Sequence, residues 1–274
     1  MAEVELKREG GIAYREALPD SPADAPPMLL VHGFPQSSYM WGHLMSALAE
    51  SGFRAVALDL PGFGDSEPDP PGTWERHIEA LDRFHSSLGL GRVALGVHDW
   101  GGLIALRWAC EHPGIAAALL ISNTGFFPAG EWSGMGQALR TPGQGEELME
   151  NLSRDAFIAM MKDESRGFDD RALDEYWKSL STEERKRGAL ELYRSGDFQK
   201  LAPYHGKLAE LGAPALVLWG KHDEYAPVSG AYRFNKEIPD SKLVILENAG
   251  HFVYEDEPER SAREVVDFLS ESVG

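Results

Sequence analysis

The stretch Val93-Ala94-Leu95-Gly96-Val97-His98-Asp99-Trp100-Gly101-Gly102 constrains this chain more than any other. An apolar run of strand length stops at His98-Asp99 and two glycines follow almost at once. Leu103-Ile104-Ala105-Leu106-Arg107-Trp108-Ala109 then has the spacing of a helix with a buried face. Strand, sharp turn and helix in so few residues put an acidic side chain at the apex of the turn. Gly101 and Gly102 give the backbone room to fold around it, although Val97 does not. An Asp before a helix ordinarily caps free N–H groups. Two residues far down the chain argue for a chemical role instead.

The rest of the pattern predicts a sheet for that turn to sit on. Residues 28–31, 54–59, 116–121, 215–219 and 243–246 are near-continuous apolar runs, as in strands covered on both faces. Helical periodicity separates several of them, at 38–49 and 74–88. Residues 4–7 and 12–15 alternate around Gly10-Gly11, the mark of a hairpin with one solvated face. This order predicts an α/β fold with a mostly parallel, eight-stranded sheet flanked by helices. A chain of 274 residues can bury one such core with an inserted subdomain. Strand patterns lapse after residue 123, and helical stretches at 146–161 and 171–193 take their place. The expected division is a core of residues 1–124 and 211–274 with a helical cap at 125–210. The run Glu183-Glu184-Arg185-Lys186-Arg187 is expected to be a solvated helix face.

In a parallel sheet the strands end at one edge, where such folds bind ligands. That edge collects His32-Gly33-Phe34-Pro35, the Asp99 turn, Gly220-Lys221-His222-Asp223 and Gly250-His251-Phe252. Taken singly, Asp223 suits its turn and His251 a packed core. Together with Asp99 they stand in the order nucleophile, acid, histidine. A carboxylate nucleophile displaces a leaving group from saturated carbon and leaves an ester on its own side chain. His251 then activates water, and Asp223 fixes its tautomer and stabilises the imidazolium. The backbone N–H groups of Phe34 and Trp100 are expected to hold the oxyanion, each worth roughly 3–4 kcal/mol in comparable sites. His32, His98 and His222 are candidates for support.

Ser37-Ser38-Tyr39-Met40-Trp41, the run from His98-Asp99-Trp100-Gly101-Gly102-Leu103-Ile104 through Glu111-His112-Pro113, and Gly250-His251-Phe252 with Glu255-Asp256 resemble haloalkane dehalogenases. These belong to the Asp-nucleophile branch of the α/β-hydrolase superfamily, and the resemblance spans nearly the whole chain. It implies cleavage of a carbon–halogen bond to alcohol, halide and a proton without a cofactor. Trp100 would give its indole N–H to the halide, a task suited to a donor-only group. The family draws a second donor from an Asn in the turn after the third strand or from a cap Trp. Phe34 holds that turn position and cannot donate through its side chain, while Trp132 and Trp177 are expected to fill aromatic core. His32-Gly33-Phe34-Pro35, His98-Asp99-Trp100-Gly101-Gly102 and Leu192-Tyr193-Arg194 also resemble epoxide hydrolases, in which cap tyrosines protonate the epoxide oxygen. That resemblance implies Tyr193 as one acid. Near 141–143, where the other belongs, there is no tyrosine, which leaves Tyr176 or Tyr204 as stand-ins. Haloalkane hydrolysis is the first expectation and epoxide hydrolysis the alternative. A capped fold of this kind can also be a non-catalytic ligand-binding protein.

Forty-four acidic against 26 basic residues give a formal charge of -18, which repels phosphate backbones and argues against nucleic acid as a partner. The expected partners are a small apolar alkyl electrophile and water, with the oligomeric state open. No CxxC, HExxH, GxGxxG or P-loop spacing occurs, so neither a metal nor a nucleotide cofactor is expected. The one cysteine, Cys110, lies in the helix after the turn and is expected to be a small buried residue rather than a reactive thiol. Met1-Ala2-Glu3-Val4-Glu5 has no basic start or apolar signal segment, and no run is long enough to span a bilayer, so a cytoplasmic protein without membrane attachment is expected.

Overall fold

A computed structural model describes residues 2–273. The apolar runs become β1 (Val4–Glu9), β2 (Ile12–Ala17), β3 (Met28–Val31), β4 (Ala55–Leu58), β5 (Val93–His98), β6 (Ala116–Ser122), β7 (Ala215–Gly220) and β8 (Lys242–Leu246). They form one sheet of eight strands in the order β1-β2-β4-β3-β5-β6-β7-β8. Pairing is antiparallel from β1 through β2 to β4 and parallel from there on. Every residue of β3, β4, β5, β6 and β7 is buried, which is why these segments carry no polar alternation. The edge strands β1 and β8 are partly exposed.

The strand order itself makes the site. From β3 the chain moves to β4 on one side, then returns across the sheet to β5 on the other. Val31 is therefore opposite Leu58 on one flank and Val97 on the other. Loops leaving β3 and β5 diverge, opening a crevice at the carboxyl ends of the strands. His98 is in register with Ser122 of β6, so the residues after β3, β5 and β6 gather at one edge.

The helices in chain order are α1 (Gly42–Glu50), α2 (Trp74–Ser87), α3 (Trp100–Glu111), α4 (Gly134–Arg140), α5 (Gln144–Asn151), α6 (Arg154–Glu164), α7 (Asp170–Trp177), α8 (Glu183–Ser195), α9 (Lys207–Glu210), α10 (Ser229–Glu237), α11 (Val253–Asp256) and α12 (Pro258–Ser272). The helix expected over 38–49 begins as a 3-10 turn, Ser38–Trp41, before α1. Helix α3 is buried almost all round, not on one face, with Arg107 and Glu111 as its exceptions. It lies beneath α2, where the Trp74 indole donates to the Leu103 carbonyl at 3.1 Å and the Trp108 indole to Asp82 at 2.9 Å. Cys110 is free and buried, and burial pushes its thiol up to about 12.

Between β6 and β7 the described residues form helices and loops and no strand. Each of the two long helices expected there is broken. Residues 146–161 divide between α5 and α6, because the Ser153 hydroxyl accepts from the Ala156 N–H and starts a new helix. Residues 171–193 divide into α7, a 3-10 turn at Lys178–Leu180 and α8, which Thr182 caps by accepting from Arg185 N–H. The charged run opening α8 is only partly a solvated face. Glu183, Glu184 and Arg187 are exposed. Arg185 donates to the carbonyls of Gly62 (2.8 Å), Gly64 (3.1 Å) and Ser66 (2.8 Å), and Lys186 donates to that of Met149 at 2.6 Å. The residues between β6 and β7 are also tied to the rest of the fold by Tyr176 with Glu255, Lys178 with Asp65 (2.9 Å) and Arg15 with Glu175 (2.9 Å). Among the described residues no helix is long and apolar enough to cross a membrane.

Candidate active site

Asp99 lies between β5 and α3 with φ 50° and ψ -124°, a left-handed conformation that a non-glycine residue adopts only under constraint. The constraint is local. Its N–H donates to the Asn123 carbonyl at 3.2 Å, and its carbonyl accepts from the Thr124 hydroxyl at 2.6 Å and the Gly102 N–H at 2.9 Å. A Cβ on Gly101 would sit 2.1 Å from the Val31 carbonyl oxygen, and one on Gly102 2.1 Å from Thr124 Oγ1, so both positions require glycine by close approach. Although Asp99 occupies the N-cap position of α3, its side chain makes no capping bond. Oδ1 instead accepts from the Phe34 N–H at 2.8 Å, across the crevice from β3. Burial opposes the charge on this carboxyl, but His251 beside it outweighs that, and the Trp100 N–H adds to the effect, holding it below the usual range.

Across the crevice His251 follows β8 and faces both carboxylates. Its Nδ1 donates to Asp223 Oδ2 at 2.9 Å, and its Nε2 lies 3.6 Å from Asp99 Oδ2. Burial disfavours the imidazolium, yet Asp223 and Asp99 together push it up to about 10. Asp223, at the end of β7, is itself buried. Its Oδ1 accepts from the N–H groups of Tyr225 and Ala226, both at 2.8 Å. Its Oδ2 also accepts from Asn123 Nδ2 at 2.7 Å. Burial would raise this carboxyl, but the His251 charge and those bonds keep it low. Asn123, with φ 43°, directly follows β6 and was not picked out by the sequence reading. An uncharged amide carries no chemical signature, and only its place at a strand end on the shared edge could have marked it.

The three candidate supporting histidines divide. His98 Nε2 donates to the His251 carbonyl at 2.8 Å, and burial with the nearby His251 charge lowers it to about 4. His32 donates from Nδ1 to the Gly33 carbonyl at 2.8 Å and accepts at Nε2 from the Leu60 N–H at 3.0 Å, fixing the turn that presents Phe34. His222 is exposed and enters the site only through its backbone N–H, which donates to Ala249 at 3.0 Å.

Above Asp99 is a cavity of about 560 Å³. Phe34, Trp100, Trp132 and Tyr193 form an aromatic wall. Trp132 stacks on Trp100 at 5.3 Å and 29°, and Tyr193 meets Phe34 and Trp100 edge-on, each at 5.2 Å. Burial pushes the Tyr193 hydroxyl well above the phenol range, and Asp99 adds to this against a hydrogen bond from Trp100. Trp132 therefore belongs to the cavity rather than to a remote aromatic core, and it makes no hydrogen bond among the described residues. Trp177 packs on Phe157 as expected. Neither stand-in tyrosine lines the cavity: the Tyr176 hydroxyl donates to Glu255, and that of Tyr204 to Glu111. A tyrosine that sequence reasoning passed over, Tyr225, lies 5.1 Å from the His251 ring, with its hydroxyl donating to Glu164 at 2.6 Å.

A sequence profile of the alpha/beta hydrolase fold matches residues 26–258. The chain is 31% identical over 258 residues to a haloalkane dehalogenase 2 of Mycobacterium bovis, covering 88% of this chain and 87% of that one. Among solved structures, a loop variant of the haloalkane dehalogenase of Bradyrhizobium elkanii superposes with a TM-score of 0.83 at 25% identity, covering 99% of this chain and 97% of that one. An epoxide hydrolase of Vigna radiata shares the fold with a TM-score of 0.77 at 23% identity, covering 98% of each chain.

Proposed function

Because this chain belongs to the α/β-hydrolase fold family and is a hydrolase related to haloalkane dehalogenases, we propose that it opens the carbon–halogen bond of a small haloalkane through an alkyl ester on Asp99. The reading rests above all on a carboxylate at the apex of the turn, with one oxygen on the Phe34 N–H and the other facing His251. Asp99 Oδ2 attacks the halogen-bearing carbon and the halide leaves with the bonding electron pair. Trp100, Trp132 and Tyr193 offer N–H and O–H groups to the halide. His251 then takes a proton from water, whose oxygen attacks the ester carbon, while Oδ1 becomes the oxyanion on the Phe34 and Trp100 N–H groups. Collapse releases the alcohol and restores the carboxylate. In this reading residues 125–210 are the cap that closes a core of 1–124 and 211–274.

An epoxide is the second reading, favoured by the place of Tyr193 in the cavity. Its weakness is the second acid, since the hydroxyls of Tyr176 and Tyr204 are engaged elsewhere. Halide release from bromoalkanes and diol release from styrene-type epoxides discriminate the two, with bromide release expected to dominate. His251→Gln should slow ester hydrolysis on the order of 10²–10⁴-fold, so that an alkyl adduct accumulates on the Asp99 peptide and is seen by mass spectrometry. An unmodified peptide from that variant, alongside turnover by the parent, would sink the ester mechanism.

A further inference from the structure

The cavity above Asp99 is lined mostly by apolar groups, yet its wall carries one guanidinium. Arg233 is the sole Lys or Arg among the lining residues. It stands on α10 one helical turn beyond Gly230, which also lines the cavity. The group is half-buried, with Cζ 3.8 Å from the centroid of the Phe127 ring, itself part of the wall. No carboxylate among the described residues pairs with it, in a chain with 44 acidic and 26 basic residues. A guanidinium resting on an aromatic face keeps its N–H edges available, and their geometry matches a carboxylate.

We propose that Arg233 receives a carboxylate at the far end of the substrate, so that the substrate class is an alkyl electrophile with an anionic tail, such as an omega-halo alkanoate. The proposal rests on the alkyl-ester reading at Asp99. It extends that reading by naming what the other end of the chain carries. The apolar wall between the two groups takes the methylene chain. Glu131 and Glu164 also line the cavity and with Arg233 leave these three groups at a net charge of -1, so a carboxylate is held only in direct contact with the guanidinium and a dianionic phosphate is disfavoured.

Binding of hexanoate and of hexanol to the full chain, followed by quenching of Trp100 and Trp132 and by calorimetry, tests the tail site without turnover. Hexanoate should bind roughly tenfold to a hundredfold more tightly than hexanol in the parent. In Arg233→Gln the preference should vanish or reverse, because Glu131 and Glu164 are then unopposed, while hexanol affinity stays the same and reports an intact pocket. Arg233→Lys should keep part of the preference. Equal affinities in the parent, no binding of either probe, or an unchanged preference in Arg233→Gln would overturn the proposal. Bromide release from neutral bromohexane, which does not call on Arg233, tests the ester reading by itself. Omega-bromohexanoate should then lose at least about tenfold in kcat/KM in Arg233→Gln, with bromohexane unaffected.

Discussion

At the level of single residues the site is a proton flanked by two negative charges. His251 lies between Asp223 and Asp99, and their combined pull raises it to about 10, so the resting imidazole is charged at neutral pH. In the proposed reaction alkylation changes that balance, since an ester at Asp99 would have no charge and His251 would then answer to Asp223 alone. Imidazolium cannot activate water, so on that proposal ester hydrolysis waits on a proton that ester formation has loosened. Rapid quenching between about pH 6 and pH 9 should show a halide burst nearly independent of pH, followed by a slower phase that accelerates as pH rises. Two phases rising in parallel would mean that His251 is already neutral in the resting enzyme. The place of Asp99, Asp223 and His251 on one edge could be read from the sequence because each is a titratable group at, or in the loop just beyond, the end of an apolar strand. Asn123, Trp132, Tyr225 and Arg233 could not, because spacing along the chain does not carry which side chain meets Asp223 or which ones face one cavity.

Among the elements, α8 is joined to the loop that follows β4. Arg185 reaches three carbonyls of that loop with one guanidinium, and burial lowers its pKa. Its place in a run of five charged residues concealed this, because a helix turns successive side chains to different faces and only some of the run meets water. The same limit explains the broken helices of the insertion. Ser153 and Thr182 are good capping residues, but polar sequence on either side is equally compatible with an unbroken helix, and the tertiary path decides. The sheet was readable almost strand by strand, since burial on both faces writes an apolar run into each of β3 to β7. Arg185→Ala should cost about 2 kcal/mol by leaving the loop carbonyls short of donors, lowering Tm by roughly 4–8 °C in calorimetry. Arg185→Lys should recover little, because one ammonium cannot span the three acceptors. A variant melting with the parent would show that the loop holds its shape without this contact.

Over the whole molecule, buried ionisable groups shape the pH range in which the fold persists. Burial keeps His32, His77 and His98 neutral, lowering His77 to about 3 and His98 to about 4. Unfolded imidazoles take up protons near pH 6.5, so below that pH the unfolded chain binds more protons and stability falls. His251 acts in the opposite sense. Its contribution is complete below about pH 6.5 and fades as pH rises toward its folded pKa, by up to about 1.4 kcal/mol per unit. Glu255, which burial pushes up to about 7, likewise favours the folded state on the acid side of that value. Three histidines outweigh one carboxyl below pH 6.5, so Tm should peak near about pH 6.5 and fall on both sides. His251→Gln should flatten the alkaline side and leave the acid side in place. An alkaline limb unchanged in that variant would remove His251 from the account. The buried position of Cys110 has a separate use. With the chain's single sulfhydryl buried and its thiolate disfavoured, a cysteine installed at Met135 or Leu148, exposed residues on the cavity lining, would be the preferred place for a dye to attach. A fluorophore there would report each arrival and departure of a small molecule on a background that needs no prior engineering.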